Sequence, residues 1–180
     1  MTRILLGCGA SAALHKGVDL ASKLTQAGHE VRAVLTPSAA KLIAPQLFEA
    51  VTARPAQVDE FGAERQGAMD HIELSAWGEL LLVAPATADL IARLALGLGG
   101  DLLGTVALAF PSERPRLVAP AMNPRMLQSP PIARHLETLA GDGWRVLAPG
   151  SGAMACGDVG PGRLPEPAEI LAELERLGLA

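Results

Sequence analysis

The stretch from Gly152 to Pro167 reads Gly-Ala-Met-Ala-Cys-Gly-Asp-Val-Gly-Pro-Gly-Arg-Leu-Pro-Glu-Pro, and it sets a thiol, two carboxylates and a guanidinium among glycines and prolines. Glycine weakens helix and strand alike, and proline removes a backbone donor, so the stretch is predicted to be a long loop. Loops of that length in compact domains serve as lids or linkers. A lid that places Cys156 over a bound ligand is the favoured reading; a glycine-rich connector with an incidental buried cysteine is the alternative. Asn123 stands between Pro120 and Pro124 in a polar turn. Its amide can donate to a substrate carboxylate, or it can close an Asx turn on its own backbone. His71 follows Asp70 and precedes a short apolar run. An imidazole there suits proton transfer near neutrality, although a lone histidine is more often structural.

Three further turns carry small or hydroxylated residues. Gly9-Ala10-Ser11 and Thr36-Pro37-Ser38 each precede a predicted helix. Free backbone donors and the helix dipole favour a phosphate at such a point, and helix capping alone also calls for Ser or Thr. Both turns together favour a mononucleotide. The first turn lacks the three spaced glycines of a dinucleotide site, and no acidic residue closes the second strand, so a nicotinamide dinucleotide is disfavoured. Pro85-Ala86-Thr87-Ala88-Asp89-Leu90 would let a flat ring approach the backbone, with Thr87 and Asp89 at its edge; a plain helix start is the competing reading. His15, His29 and His135 are expected at the surface or in packing. The histidines and cysteines show no close metal-ligand spacing, and no serine nucleophile elbow is present.

The elements needed to hold these turns follow from the apolar pattern. Over 180 residues, 49% are hydrophobic but only 3% aromatic, so the core must be built from Ala, Leu, Val and Ile. That composition suits a buried parallel sheet under helices. Strands are predicted at Arg3–Cys8, Glu30–Leu35, Glu79–Ala84 (stopped by Pro85), Arg116–Ala119 and, as the last strand, Trp144–Leu147. Helices are predicted up to Ala27, from Thr36 or Ser38, from Ala86 to Leu96, and over Asp101–Phe110, Pro131–Ala140 and Ala168–Leu177. The range 51–68 reads as irregular with at most one short strand. Alternation of this kind predicts an α/β fold, a single doubly wound, Rossmann-like (flavodoxin-like) domain with a mostly parallel sheet. Ligands in such folds bind beyond the carboxyl ends of the strands, where the turns above would collect. A net charge of −4 without Lys/Arg clusters argues against nucleic acid. No apolar run has the ~20 residues of a membrane span, and the N-terminus lacks a signal-peptide pattern. Two cysteines make no disulfide framework, so the cytoplasm is the expected compartment.

Three of these segments resemble motifs of the homo-oligomeric flavin-containing cysteine decarboxylase family. Residues 85–90 resemble its flavin-binding PASANT segment, with Thr87, Asp89 and Leu90 in place of Ser, Asn and Thr. Residues 120–126 resemble its PxMNxxMW segment, with Leu127 where Trp would stand. The Gly152–Pro167 stretch resembles its substrate clamp, which would be a flexible segment around 150–166 of one domain covering 1–180. The resemblance implies an FMN cofactor, its phosphate near Gly9, Ala10, Ser11, Thr36, Pro37 and Ser38, its ring near Thr87, Ala88, Asp89, Leu90 and Ala121. It implies that His71 is the essential histidine, Asn123 the carboxylate-binding amide and Cys156 the proton donor, with Met154, Ala155 and Arg163 binding substrate in the clamp. The activity implied is decarboxylation of 4'-phosphopantothenoylcysteine to 4'-phosphopantetheine in coenzyme A biosynthesis. The thiol-bearing carbon would be oxidised to a thioaldehyde, carbon dioxide lost, and the enethiol reduced again, with no net redox change. A trimer or trimer-based dodecamer is implied. The rivals are a peptidyl-cysteine decarboxylase that stops at the enethiol, a flavin prenyltransferase, and a non-enzymatic flavin-binding regulatory subunit.

Overall fold

A computed structural model of the protein describes residues 1–62, 69–153 and 157–179. Five strands form one parallel sheet: β1 (Arg3–Cys8), β2 (Glu30–Leu35), β3 (Leu80–Ala86), β4 (Arg116–Pro120) and β5 (Trp144–Val146). Their order, β2-β1-β3-β4-β5, is that of the flavodoxin-like doubly wound fold. Side chains alternate across the sheet, and each face has its own core. Ile4, Leu6 and Cys8 pack with Leu20, Leu24, Phe48 and Ile170 on one side. Leu5, Leu81 and Val83 pack with Leu74, Ile91, Val106 and Leu139 on the other. The first face is covered by α1 (Leu14–Gln26), α3 (Gln46–Thr52) and α9 (Pro167–Arg176). The second is covered by α4 (Asp70–Trp77), α5 (Ala88–Ala95), α6 (Leu102–Ala109) and α8 (Pro130–Gly141). Short helices α2 (Pro37–Ala40) and α7 (Pro124–Leu127) follow β2 and β4.

The helices start and stop for local reasons. In α1, Leu14, Gly17, Leu20, Ala21 and Leu24 are buried at helical spacing, and the chain leaves through Gly28 at φ +90°. At the end of α9, Gly178 adopts φ +67° and Leu179 N–H donates to Leu174 O at 2.9 Å, a left-handed stop that glycine allows without strain. Thr36, not Ser38, caps α2, its hydroxyl accepting from Ala39 N–H at 3.1 Å.

Four expectations are corrected. Pro85 does not stop β3, which continues to Ala86; the missing donor falls at a register irregularity between Val83 and Ala86, beside a cis Ala84–Pro85 peptide. The glycine-rich stretch is not irregular throughout, nor is β5 the last strand. β6 (Gly150–Ala153) and β7 (Val159–Arg163) pair as an antiparallel hairpin outside the main sheet, where its glycines and prolines meet no central-strand requirement. In the range read as irregular, Val51 and Thr52 belong to α3, and Gln57 makes an isolated parallel bridge with Val34. Residues 63–68 lie outside the described residues.

Helix α6 is pressed against the loop before it. A Cβ on Gly104 would sit 2.7 Å from the carbonyl oxygen of Leu98, whereas one on Gly141 would meet nothing within 4 Å. Gly104→Ala should therefore cost about 1–3 kcal/mol, as overpacking does, while Gly141→Ala should change stability by less than about 0.5 kcal/mol. Urea unfolding of both variants checks this, and equal stabilities would contradict it.

Candidate active site

Hydrogen bonding carries on past the strands into the turns. Thr36 N–H donates to Cys8 O at 3.0 Å, Gly9 N–H to Pro85 O at 2.8 Å, and Ala121 N–H to Ala86 O at 2.9 Å. Met122 N–H then donates to Gly162 O at 3.0 Å, which ties the turn after β4 to the hairpin. These bonds gather the turns after β1, β2, β3 and β4, together with β7, around one cleft of about 980 Å³.

Most of the expected residues meet there. Ala10, Ser11, Thr36, Pro37, Ser38, Thr87, Ala88, Asp89, Ala121, Asn123 and Arg163 all line the cleft. Leu90 does not: its side chain is fully buried in the core, because position 90 faces inward on α5. Gly9 supports the wall from behind; a Cβ there would stand 3.1 Å from Pro85 O and 3.2 Å from Leu90 Cδ2. His71 also stands apart from the lining, on α4, where its Nδ1 contacts Glu60 Oε1. Met154, Ala155 and Cys156 lie outside the described residues.

Several hydroxyls hold backbone as well as wall. Ser11 Oγ accepts from Ala13 N–H at 3.2 Å and donates to Ala121 O at 3.3 Å, so it locks the first turn to the fourth. Thr87 Oγ1 accepts from Leu90 N–H at 3.3 Å and caps α5. Asn123 closes the Asx turn on its own backbone and also uses its amide nitrogen. Its Oδ1 accepts from Arg125 N–H at 2.8 Å and caps α7, which aims the amide nitrogen the other way, where Nδ2 donates to Asp158 Oδ2 at 2.5 Å.

Other lining residues were not anticipated. Arg93 joins Asp89 (Nε to Oδ2, 3.0 Å) to Asp101 (Nη1 to Oδ2, 2.8 Å), and Asp101 Oδ1 caps α6 at Gly104 N–H. Burial works against the charge of Arg93, but Asp101 and Asp89 outweigh it and raise its pKa above the ordinary value. The i,i+4 spacing of Asp89 and Arg93 was a visible signal; the reach to Asp101 was not. His15 and Lys16, at the start of α1, also line the cleft. Lys16 Nζ meets Glu166 Oε1 at 2.7 Å, binding α1 to the segment after β7 and holding the Glu166 carboxyl below its ordinary pKa. Cys8, the other thiol, donates to Ala84 O at 3.2 Å and is completely buried, which drives its pKa far up and leaves it an inert core group.

The Lys16–Glu166 pair has a pH signature. A carboxyl whose folded pKa is lowered stabilises the fold above its unfolded value and loses that contribution as pH falls through the folded one. Glu166→Gln should lower stability at neutral pH by no more than about 1 kcal/mol, the scale of an exposed pair. The gap from wild type should close in acid below the carboxylate range. Urea midpoints at the two extremes check this; a gap that persists in acid would contradict it.

A family model described as Flavoprotein matches residues 1–177. The coenzyme A biosynthesis bifunctional protein CoaBC of Vibrio vulnificus is 42% identical over 174 residues, covering 97% of this chain and 43% of that protein. The corresponding protein of Escherichia coli is 40% identical over 169 residues, covering 94% of this chain and 41% of its own length. The chain thus spans less than half the length of these curated relatives. A solved structure of a PPC decarboxylase mutant complexed with pantothenoylaminoethenethiol superposes with a TM-score of 0.87 at 30% identity, covering 99% of both chains. The FMN-dependent cysteine decarboxylase SpaF superposes with a TM-score of 0.82 at 30% identity, covering 100% of this chain and 98% of that one. By sequence and by fold, this chain belongs to the flavoprotein family.

Proposed function

We propose that the protein is an FMN-dependent decarboxylase that converts 4'-phosphopantothenoylcysteine to 4'-phosphopantetheine in coenzyme A biosynthesis. The observation that carries this reading is the convergence of the four strand-end turns and the hairpin on one cleft containing the Asn123 amide. Two comparisons support it: the CoaBC relatives and the PPC decarboxylase fold.

FMN fits the residues present. The cleft volume of about 980 Å³ lies at the upper end for small-molecule sites. Its walls at Ala10, Ala12, Ala13, Ala88 and Ala121 are small enough for a planar ring to lie close to backbone, and the N-terminal ends of α1 and α5 open onto it. Ser11 and the Thr36–Ser38 turn would hold the phosphate, and Thr87, Ala88, Asp89 and Ala121 the ring. Asp89 replaces an amide with a carboxylate, and its pairing with Arg93 offsets the added charge. When bound, FMN supplies a reversible two-electron acceptor, which lets the carboxyl group leave from a carbon that could not otherwise carry the charge.

The remaining work belongs to the chain. Asn123 donates to the substrate carboxylate and orients it. Arg163, on the cleft wall, faces the anionic substrate. Cys156 returns the proton that completes the saturated thiol. His71 is not among the residues that line the cleft of its own chain, so we assign it to the cleft of a neighbouring copy in a homotrimer or a trimer-based dodecamer. The hairpin excludes water from the reacting carbon. No described helix is long and apolar enough to cross a membrane, and we place the enzyme in the cytoplasm.

The test is a mass-spectrometric assay of the flavin-loaded protein with 4'-phosphopantothenoylcysteine and, separately, a peptide ending in cysteine. Wild type should release carbon dioxide from the former and yield the saturated thiol. Preferential turnover of the peptide would assign the chain to the peptidyl-cysteine class instead, and no turnover of either would favour a regulatory flavin-binding role. Cys156→Ser should keep FMN and accumulate the unsaturated enethiol, and Asn123→Asp should lose turnover through carboxylate repulsion. Saturated product from Cys156→Ser at the wild-type rate would refute its role as proton donor.

A further inference from the structure

The amide nitrogen assigned to the substrate carboxylate already holds a carboxylate of the protein's own. Asn123 cannot turn its amide around freely, because Oδ1 is committed to Arg125 N–H at 2.8 Å as the cap of α7. Nδ2 therefore faces the hairpin side, and Asp158 Oδ2 receives its proton at 2.5 Å. The two segments are fixed side by side. Met122 N–H donates to Gly162 O at 3.0 Å, and β7 approaches α7 so closely that a Cβ on Gly160 would meet Pro124 Cγ at 3.2 Å. Asp158 Oδ1 also has a cation within reach, Arg125 Nη2 at 3.9 Å, on a side chain that is 87% exposed. A displaced Asp158 carboxylate thus has a solvated guanidinium beside it.

A carboxylate at Nδ2 is chemically the same guest as the carboxylate of the substrate, and two of them at one amide nitrogen repel. We infer that Asp158 is an internal competitor for the carboxylate subsite: it holds Asn123 Nδ2 until a ligand carboxylate displaces it, and returns once that carboxyl group has left. The inference rests on the reading that Asn123 receives the substrate carboxylate. Asp158 then sets the relative affinity of the site for the carboxylated and decarboxylated forms of one ligand. The carboxylated form must exchange with Asp158, while the product has nothing to exchange. Binding of the ground-state carboxylate is weakened, and loss of carbon dioxide is coupled to restoration of the Asp158–Asn123 bond.

The test is calorimetric titration of the flavin-loaded protein with two probes. 4'-Phosphopantothenoylserine carries the carboxylate but has a hydroxyl in place of the oxidisable thiol; 4'-phosphopantetheine lacks the carboxylate. Asp158→Ala should bind the serine probe about tenfold more tightly, the scale of one hydrogen bond involving a charged group, and bind 4'-phosphopantetheine as wild type does. Asp158→Asn, which keeps an acceptor without the charge, should fall between and serves if the alanine variant does not fold; the bound-flavin spectrum reports folding of each. The tightening should vanish when Asp158→Ala is made in an Asn123→Ala background. Equal tightening in that background would mean simple charge repulsion and overturn the inference. No tightening, with Asn123→Ala still weakening the serine probe, would overturn the inference and leave the Asn123 reading intact. If Asn123→Ala leaves the serine probe unaffected in the Asp158→Ala background as well, where nothing competes for the amide, the Asn123 reading itself falls, and the inference with it.

Discussion

Everything at the active end of this molecule depends on one set of backbone hydrogen bonds, those that extend the sheet beyond its strands. Cys8 O, Pro85 O, Ala86 O and Gly162 O accept from Thr36, Gly9, Ala121 and Met122 in turn. Each bond fixes the start of one loop relative to its neighbour, so loops that would otherwise vary independently form a single wall. Gly9 is where this wall is tightest. Its N–H reaches Pro85 O at 2.8 Å, and the space a side chain would need is taken by Pro85, Leu90 and Thr87. Leu90 thus contributes to the cleft from behind, as core, rather than from within it.

The sheet can carry such a wall because it is buried on both faces by side chains with few polar demands. β1 and β3 contribute no charged residue beyond Arg3, and β3 is buried along its entire length. At the carboxyl edge, polar and charged residues serve as struts. Ser11 links the first turn to the fourth, Arg93 links α5 to the cap of α6, and Lys16 links α1 to Glu166 beyond the hairpin. All three are short-range in space, and they hold in place the walls against which a planar cofactor and an anionic substrate would be positioned.

How much of this was legible in the sequence follows from the range of the interactions involved. β1, α1 and β2 were readable because apolar runs and helical spacing are local signals, with glycine just beyond β1 and α1 and Thr36-Pro37 beyond β2. The strand-end turns were readable as candidate binding positions because an α/β sheet collects them at one edge. Pro85 misled because proline ordinarily ends a strand, and only the neighbouring strands show the irregularity that accommodates it. The hairpin β6–β7 was hidden by glycines that depress strand propensity, although pairing with each other is enough to form it. Lys16 and Glu166 lie 150 residues apart, a pairing no local pattern reveals. His71 was legible as an imidazole, but its absence from the lining of its own cleft was not, because its place on α4 depends on how that helix packs on the sheet.

The most direct measurement is hydrogen–deuterium exchange of the protein with and without FMN, followed by mass spectrometry of peptides covering each strand-end turn. If the hydrogen-bonded turns form one cofactor wall, FMN should slow exchange together in the peptides around Gly9–Ser11, Thr36–Ser38, Thr87–Asp89 and Ala121–Asn123. Protection confined to a single turn, or no change on adding FMN, would contradict the account.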